Sequence, residues 1–408
     1  QQQCCGIAQI AIADASVAAQ SHFGLTGSVT ALGEQPLKML VDVKAGVRIA
    51  VGETFTNMAS VVISGTRDIR CRVNEMWPAK LPGEGAELYD AVEAVADLLI
   101  ALGIAANGGK DSSSMAADVE GELVKAPGSV VILGCAPVPD ITKKVTPDIK
   151  KPGESNLYLI DLGRGKNRLG GSALAQACNQ LGDESPDVDD PKLLVNAFRA
   201  VQRMISKGLV LAVHDRSDGG LITTVAEMCM ASRCGFALCV RDEATALAHL
   251  FSEELWWVLE VLPEDEREML RICNSFNIPC SLTGVTRSDT ACGVLASLGG
   301  DDPLLLEEVT QLRLWWGRTS YEIEKLQMSS ACATEEYSGH RAVLPGIDTA
   351  PSYRLLFVPK ATPYDVLNAP YKPRVAIVRE KGSNGDQEMK AACLAAGLAP
   401  WDVAMSDL

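Results

Sequence analysis

Leu209-Val210-Leu211-Ala212-Val213-His214-Asp215-Arg216-Ser217-Asp218-Gly219-Gly220 is the stretch whose reading decides the fold. Five apolar residues run into two carboxylates, a hydroxyl and two glycines, and a helix-like segment follows at 221–232. This predicts a buried strand that delivers polar groups at its carboxyl end. An α/β fold places ligands at such an end, because the next helix N-terminus offers free N–H groups and a favourable dipole to an anion. Asp215 and Ser217 stand two residues apart, so an extended chain puts them on one side. A carboxylate and a hydroxyl beside a Gly-Gly turn suit a metal-bound phosphate. The plainer alternative is that Asp218 caps the helix and Asp215 is a solvated turn residue.

Around this stretch, helical patterns at 190–207, 221–232 and 264–276 alternate with strand patterns at 209–213, 235–240, 256–261 and 290–297. With the strand at 156–162 they predict an α/β domain over 146–330. The turn Gly163-Arg164-Gly165-Lys166-Asn167-Arg168-Leu169-Gly170-Gly171-Ser172 has Gly171 where a Walker lysine would stand, so it reads as a βα turn. A helix at 305–330 carries Trp315 and Trp316, read as core or as a domain contact.

Upstream, 1–145 reads as a separate domain. Residues 7–19 predict a buried strand carrying one acid, Asp14, whose burial without a partner or metal would cost several kcal/mol. A helix at 41–63 has an apolar face of Val47, Val51, Phe55, Met58 and Val62. Its second face, Gly46, Ala50, Glu53, Asn57 and Ser60, sets Glu53 and Asn57 as i, i+4 neighbours among residues too small to crowd a ligand. After a helix at 86–102, Asn107-Gly108-Gly109-Lys110-Asp111-Ser112-Ser113-Ser114-Met115 offers two glycines, a cation and three hydroxyls, as a phosphate loop or a polar turn. A strand at 129–137 closes the domain. Downstream, 331–372 is a Pro-rich linker. Residues 373–408 hold one β-α-β unit, too short for a core of its own.

The net charge of −15 argues against a nucleic-acid or anionic-membrane partner. Thirteen scattered cysteines without a CxxC read as free thiols in a reducing, cytoplasmic compartment. Cys178, Cys229, Cys239 and Cys393 fall in apolar patterns. No apolar run approaches the roughly 18 residues that span a bilayer. The chain starts without Met and stops just after a strand, so both ends read as cut from something longer.

Several motifs occur together and in order: Ala13-Asp14, Val51-Gly52-Glu53-Thr54-Phe55-Thr56-Asn57, Leu81-Pro82-Gly83-Glu84-Gly85, Gly108-Gly109-Lys110-Asp111-Ser112, and His214 to Gly220. The tail adds Pro373-Arg374-Val375-Ala376-Ile377-Val378-Arg379-Glu380 and Gly382-Ser383-Asn384-Gly385. With these the chain resembles the large, single-chain formylglycinamide ribonucleotide amidotransferases (phosphoribosylformylglycinamidine synthases). The departures are Ile10-Ala11, where the family has Thr-Pro, and Val73, where a small residue precedes Asn74.

The resemblance implies a multidomain α/β (α+β) fold. One half is like aminoimidazole ribonucleotide synthetase, with a barrel-forming domain and a flanking α/β domain, followed by the start of a class I glutamine amidotransferase domain. It implies a ligase that takes formylglycinamide ribonucleotide, ATP and glutamine to the amidine, ADP, phosphate and glutamate by way of an O-phosphoryl intermediate. It implies that Ala13 and Ser217 contact an adenine nucleotide, ATP or ADP, and that Asp14, Glu53, Asn57 and Asp215 hold its Mg2+. Oxygen-only ligands of that kind suit a hard cation. It further implies that Gly109 reaches ATP and Ser112 reaches substrate at a second site, to which we add Lys110 as a phosphate partner. The family's catalytic histidine half and its amidotransferase cysteine have no counterpart here, and Cys393 lies mid-helix rather than on a strand-to-helix elbow. The chain by itself is therefore expected to be inactive, with the missing N-terminal half and the rest of the glutaminase domain as its partners. The rival reading is a non-catalytic module that holds ADP and magnesium for a partner half.

Overall fold

A computed structural model describes residues 5–6, 10, 13–21, 24–216, 218–240, 243–295, 303–340, 356–358 and 360–408. The chain divides into two compact units, Gln1–Ala19 with Leu25–Thr349, and Gln20–Gly24 with Ala350–Leu408. Most of the sequence expected as domains at 1–145 and 146–330 falls in the first unit, where one of two apolar cores draws residues from both.

The first region runs β1 (Ser16–Ala19), β2 (Gly27–Glu34), α1 (Pro36–Val41), α2 (Val43–Met58), β3 (Arg70–Met76), α3 (Glu84–Leu102), β4 (Ala105–Ser112), a hairpin of β5 (Ala116–Val119) and β6 (Glu122–Lys125), and β7 (Ser129–Val138). Its sheet has the order β1-β2-β7-β3-β4, antiparallel except for β3–β4. Helix α2 lies against β2 and β7, with Val47, Val51, Phe55 and Met58 buried as the wheel requires.

Four expectations change here. The long buried strand at 7–19 is instead the short, largely exposed edge β1, since alanine-rich chain has little apolar area to bury; residues 7–9 and 11–12 lie outside the described residues. The helix expected at 41–63 is α2, separate from α1 upstream, and is shorter, because the Asp42 carboxylate accepts from Ala45 N at 2.9 Å and caps its start, and it ends at Met58. The small residues of its second face serve backbone approach. A Cβ on Gly46 would lie 2.4 Å from Met39 N, and one on Gly33 would lie 2.1 Å from Ala50 O. The expected loop at 107–115 is mostly strand β4, an exposed sheet edge on which a Cβ at Gly109 would lie 1.8 Å from Val73 O.

The second region runs β8 (Asn156–Asp161), α4 (Ala173–Ala177), α5 (Pro191–Lys207), β9 (Ala212–Asp215), α6 (Gly220–Ser232), β10 (Gly235–Cys239), α7 (Ala246–Phe251), β11 (Trp256–Val261), α8 (Glu266–Ser275), β12 (Ser281–Arg287), β13 (Ala291–Leu295), β14 (Pro303–Glu308), α9 (Val309–Gln327) and α10 (Ser330–Gly339). The order β14-β13-β10-β12-β8-β11-β9 contains one parallel pair, β10–β13, so the region is the α+β form of the expected α/β (α+β) fold, with a largely antiparallel sheet. Every residue of β11 is buried. Trp257, Leu259 and Val261 join the core shared with α2 and α5, while Trp256 and Val258 join a second core with α6.

The opening strand starts later than expected. Gly208 closes α5 in the left-handed region at φ 72°, and β9 carries His214 and Asp215 within it. Asp218 does not cap α6: the N-cap is Gly219, with no side-chain bond. The helix expected at 305–330 is preceded by β14, and its tryptophans are half exposed rather than core, Trp315 at 51% and Trp316 at 44%.

The second unit holds α11 (Tyr364–Leu367), β15 (Arg374–Arg379), α12 (Asp386–Ala395) and β16 (Ala399–Ala404), with β15 and β16 parallel. This is the expected β-α-β unit. The linker expected at 331–372 begins instead in helix α10 and contains α11, while 341–355 and 359 lie outside the described residues. The cysteines among the described residues are free thiols, with Cys178 exposed rather than in apolar packing. Among the described residues no helix is long and apolar enough to cross a membrane.

Candidate functional site

Asp14 and Asp215, two hundred residues apart, meet at the end of β9. Asp215 N donates to Asp14 Oδ2 at 3.2 Å. His214 Nδ1 lies 2.8 Å from Asp14 Oδ1, and its Nε2 lies 3.0 Å from Glu227 Oε2. Carboxylates at both ring nitrogens require both to donate, which makes the ring an imidazolium. Burial opposes that charge, but Asp14 and Glu227 outweigh it and raise the His214 pKa well above its ordinary value. The antiparallel partner of β9 is β11, with Asp215 opposite Trp257. Trp257 Nε1 donates to Thr56 O at 2.8 Å, and Thr56 Oγ1 donates to Asp215 Oδ2 at 3.2 Å. Helix α2 is thereby pinned beside the cluster.

A carboxylate oxygen each of Asp14 and Asp215 and a ring nitrogen of His214 lie within 4.8 Å of one another, and since both ring nitrogens donate, the carboxylates are the atoms open to a metal. Burial, then the Asp14 charge, raises the Asp215 pKa well above the carboxylate range, and Glu53 adds to it. Among the described residues, the acids whose ligand atoms cluster within 4.8 Å here are Asp14 and Asp215, and Glu53 is not one of them. Its Oε2 accepts from Glu34 N at 2.9 Å and from Gln35 Nε2 at 2.8 Å. Burial also pushes the Glu53 carboxyl up, against the pull of Arg216. Asn57 is one turn further along α2, with its amide donating to Leu32 O at 2.8 Å. Ser217 lies outside the described residues. Burial and neighbouring acids disfavour a charged Asp215, which a divalent cation relieves, so the carboxylate donors fit a hard ion.

A cleft of about 430 Å3 opens beside Asp14, lined by Ala13, Ala15, Val17, Val61, Ile141 and Lys144 among others. Its volume lies within the ordinary range for small-molecule sites.

Gly109, Lys110 and Ser112 are elsewhere, on β4 at the sheet edge opposite β1. Lys110 Nζ donates to Ser112 Oγ at 2.8 Å, so cation and hydroxyl stand together in the open. On the neighbouring strand Glu75 faces Asp111 in register; burial and the Asp111 carboxylate raise its pKa to about 7.

Sequence reasoning missed His214, Thr56 and Glu227. Histidine inside the quoted stretch was a signal for the first. Thr56 falls between Glu53 and Asn57 on α2, and Glu227 is held by Trp316 Nε1 at 2.7 Å, a contact that no local pattern encodes.

Three family models match the chain: the FGAR-AT PurM_N-like domain over 1–137, the C-terminal domain of AIR synthase related proteins over 155–295, and a CobB/CobQ-like glutamine amidotransferase domain over 372–408. The probable chloroplastic/mitochondrial phosphoribosylformylglycinamidine synthase of Arabidopsis thaliana is 44% identical over 100% of this chain and 29% of its own length. The phosphoribosylformylglycinamidine synthase of Homo sapiens is 44% identical over 100% of this chain and 30% of its own. The chain thus spans under a third of these relatives. T. maritima PurL complexed with ATP shares the fold at 15% identity and TM-score 0.54, covering 73% of this chain and 46% of that one. T. maritima PurL complexed with FGAR does so at 14% and 0.58, covering 74% and 48%.

Proposed function

We propose, from the premise that this chain belongs to the phosphoribosylformylglycinamidine synthases as one segment of their length, that it supplies a nucleotide and Mg2+ site to an ATP-dependent carbon–nitrogen ligase. The reaction is the amination of formylglycinamide ribonucleotide with glutamine as nitrogen donor, giving formylglycinamidine ribonucleotide, ADP, phosphate and glutamate. The observation that carries the reading is the convergence of Asp14 and Asp215, with Thr56 of α2 bonded to Asp215.

The contacts support the following division of roles. Asp14 and Asp215 offer carboxylate oxygens, Glu53 a third, and Asn57 its amide oxygen. His214 orients Asp14, and Thr56 orients Asp215. The cleft at Ala13 takes the nucleoside, with Lys144 on its wall for a phosphate. Ser217 is the further nucleotide contact. When bound, the magnesium ion neutralises phosphate charge, which is most of what phosphoryl-group chemistry asks of a protein. On β4, Gly109 lets the strand lie close, and Lys110 with Ser112 offers a cation and a hydroxyl to ATP and substrate oxygens. The free thiols suit a reducing compartment, in keeping with a cytoplasmic enzyme.

A second reading, a module that holds ADP and magnesium without turnover, is favoured by one observation: the Asp14 and Asp215 side chains are only 1% and 8% exposed. Calorimetry on the chain separates the two. The ligase reading expects nucleotide binding with Mg2+ and measurable affinity of the β4 region for formylglycinamide ribonucleotide. The module reading expects the first without the second, and absence of Mg2+-dependent nucleotide binding sinks both.

A further inference from the structure

Behind the carboxylate pair lies a second buried network that the roles above leave unused. Lys38, on α1, is 1% exposed. Its Nζ donates to Glu253 Oε2 at 2.5 Å and to Gln35 Oε1 at 2.6 Å. The other Glu253 oxygen accepts from Ala173 N at 2.9 Å and from Gly219 N at 2.8 Å. Arg216 Nη1 lies 3.6 Å from Glu253 Oε2 and also donates to the Glu253 carbonyl. Gly171 packs on the Lys38 backbone so closely that a Cβ there would lie 2.7 Å from Lys38 Cα. One ion pair therefore ties together α1, the Gly-rich turn before α4, the loop before β11, and the turn that follows Asp215.

Such a pair is a poor device for stability alone. Desolvating an ammonium and a carboxylate offsets most of their attraction, and a well-packed apolar pair is often as stable. What the pair supplies is direction. With Gln35 Oε1 held by Lys38, the Gln35 amino group must face the other way, and it donates to Glu53 Oε2 at 2.8 Å. Glu34 N takes the same oxygen, so among the described residues Glu53 Oε1 is engaged by no hydrogen bond.

We infer that Lys38 and Glu253, acting through Gln35, are positioning residues for the divalent-cation site: the Gln35 amide that they orient occupies one oxygen of Glu53 and leaves the other for the ion. This rests on the nucleotide and magnesium reading of the site. It also gives the βα turn at 163–172 a role, as part of the clamp through Gly171.

The test is Mn2+ titration of the whole chain with saturating ADP, followed by electron paramagnetic resonance, together with ADP titration in EDTA. Gln35→Leu and Lys38→Met are expected to weaken Mn2+ about 10- to 100-fold, as loss of an outer-shell partner does, with metal-free ADP affinity unchanged. Gln35→Leu leaves the buried ion pair intact, so it reads positioning even where Lys38→Met impairs folding. Wild-type Mn2+ affinity in a folded Gln35→Leu variant overturns the inference, as does an equal loss of metal-free and metal-dependent binding. A wild-type chain that takes up no Mn2+ with ADP instead overturns the site reading beneath it.

Discussion

The two polar regions of the first compact unit differ in almost every physical respect. The cluster of Asp14, His214 and Asp215 is buried, is drawn from segments two hundred residues apart, and is held by bonds from Thr56 and Glu227. The Gly109–Ser112 run is continuous in sequence, exposed, and lies on an unpaired sheet edge. The first is preorganised in this chain, because burial and mutual bonding set its geometry before any ligand arrives. The second presents the right functional groups without walls, and its affinity depends on whatever covers that edge.

The sharpest way to break this contrast is to remove a carboxylate from the buried cluster. Asp215→Asn is expected to weaken Mg2+-dependent ADP binding by more than about 100-fold, beyond the range for outer-shell changes, as read by calorimetry. Retention of wild-type affinity would show that the cluster is only structural. Next in size is the packing beneath it. Phe55 is 1% exposed and meets Phe198 edge-on at 5.8 Å, so Phe55→Ala should cost about 3–5 kcal/mol in urea unfolding. A cost under about 1 kcal/mol would deny that α2 is a rigid platform.

The exposed edge carries a pH signature. The Glu75 pKa is raised to about 7 in the folded chain, above its unfolded value, so the folded state binds the extra proton. Stability from this group is therefore present at low pH and declines as pH rises through the window up to about 7. Glu75→Gln should flatten that slope in a series of melting curves, and an unchanged slope would remove Glu75 as its source. The smallest effect is expected at Lys110→Ala. Its stability change should stay within about 0.5 kcal/mol, with Mg2+-dependent ADP affinity unaltered, since Lys110 is exposed and, among the described residues, its side chain bonds only Ser112.

What could be read from residues alone follows the same division. Strands β8, β10 and β11 and helices α3, α5 and α6 were legible because their apolar periodicity coincides with their burial. Asp14 and Asp215 were legible as site residues through family motifs, and Asp14 also as a lone acid among alanines. The antiparallel order of the second sheet was not, because strand pairing is set by long-range packing that alternating elements do not encode. Strands β2, β3 and β4 were missed for a related reason: glycine and charged residues there are held by neighbours across the sheet, as Gly109 is by Val73. The break at Asp42 was visible in principle as an N-cap residue before an apolar run. His214, by contrast, gains its role only from Glu227 and Asp14, which no window of sequence brings together.

The most direct test of the central claim is calorimetric titration of ADP into the chain with Mg2+ and with EDTA, for wild type, Asp14→Asn and Lys110→Ala. The account predicts one Mg2+-dependent site in wild type, its loss in Asp14→Asn and its retention in Lys110→Ala. Equal binding with and without Mg2+, or loss in Lys110→Ala with retention in Asp14→Asn, would contradict it.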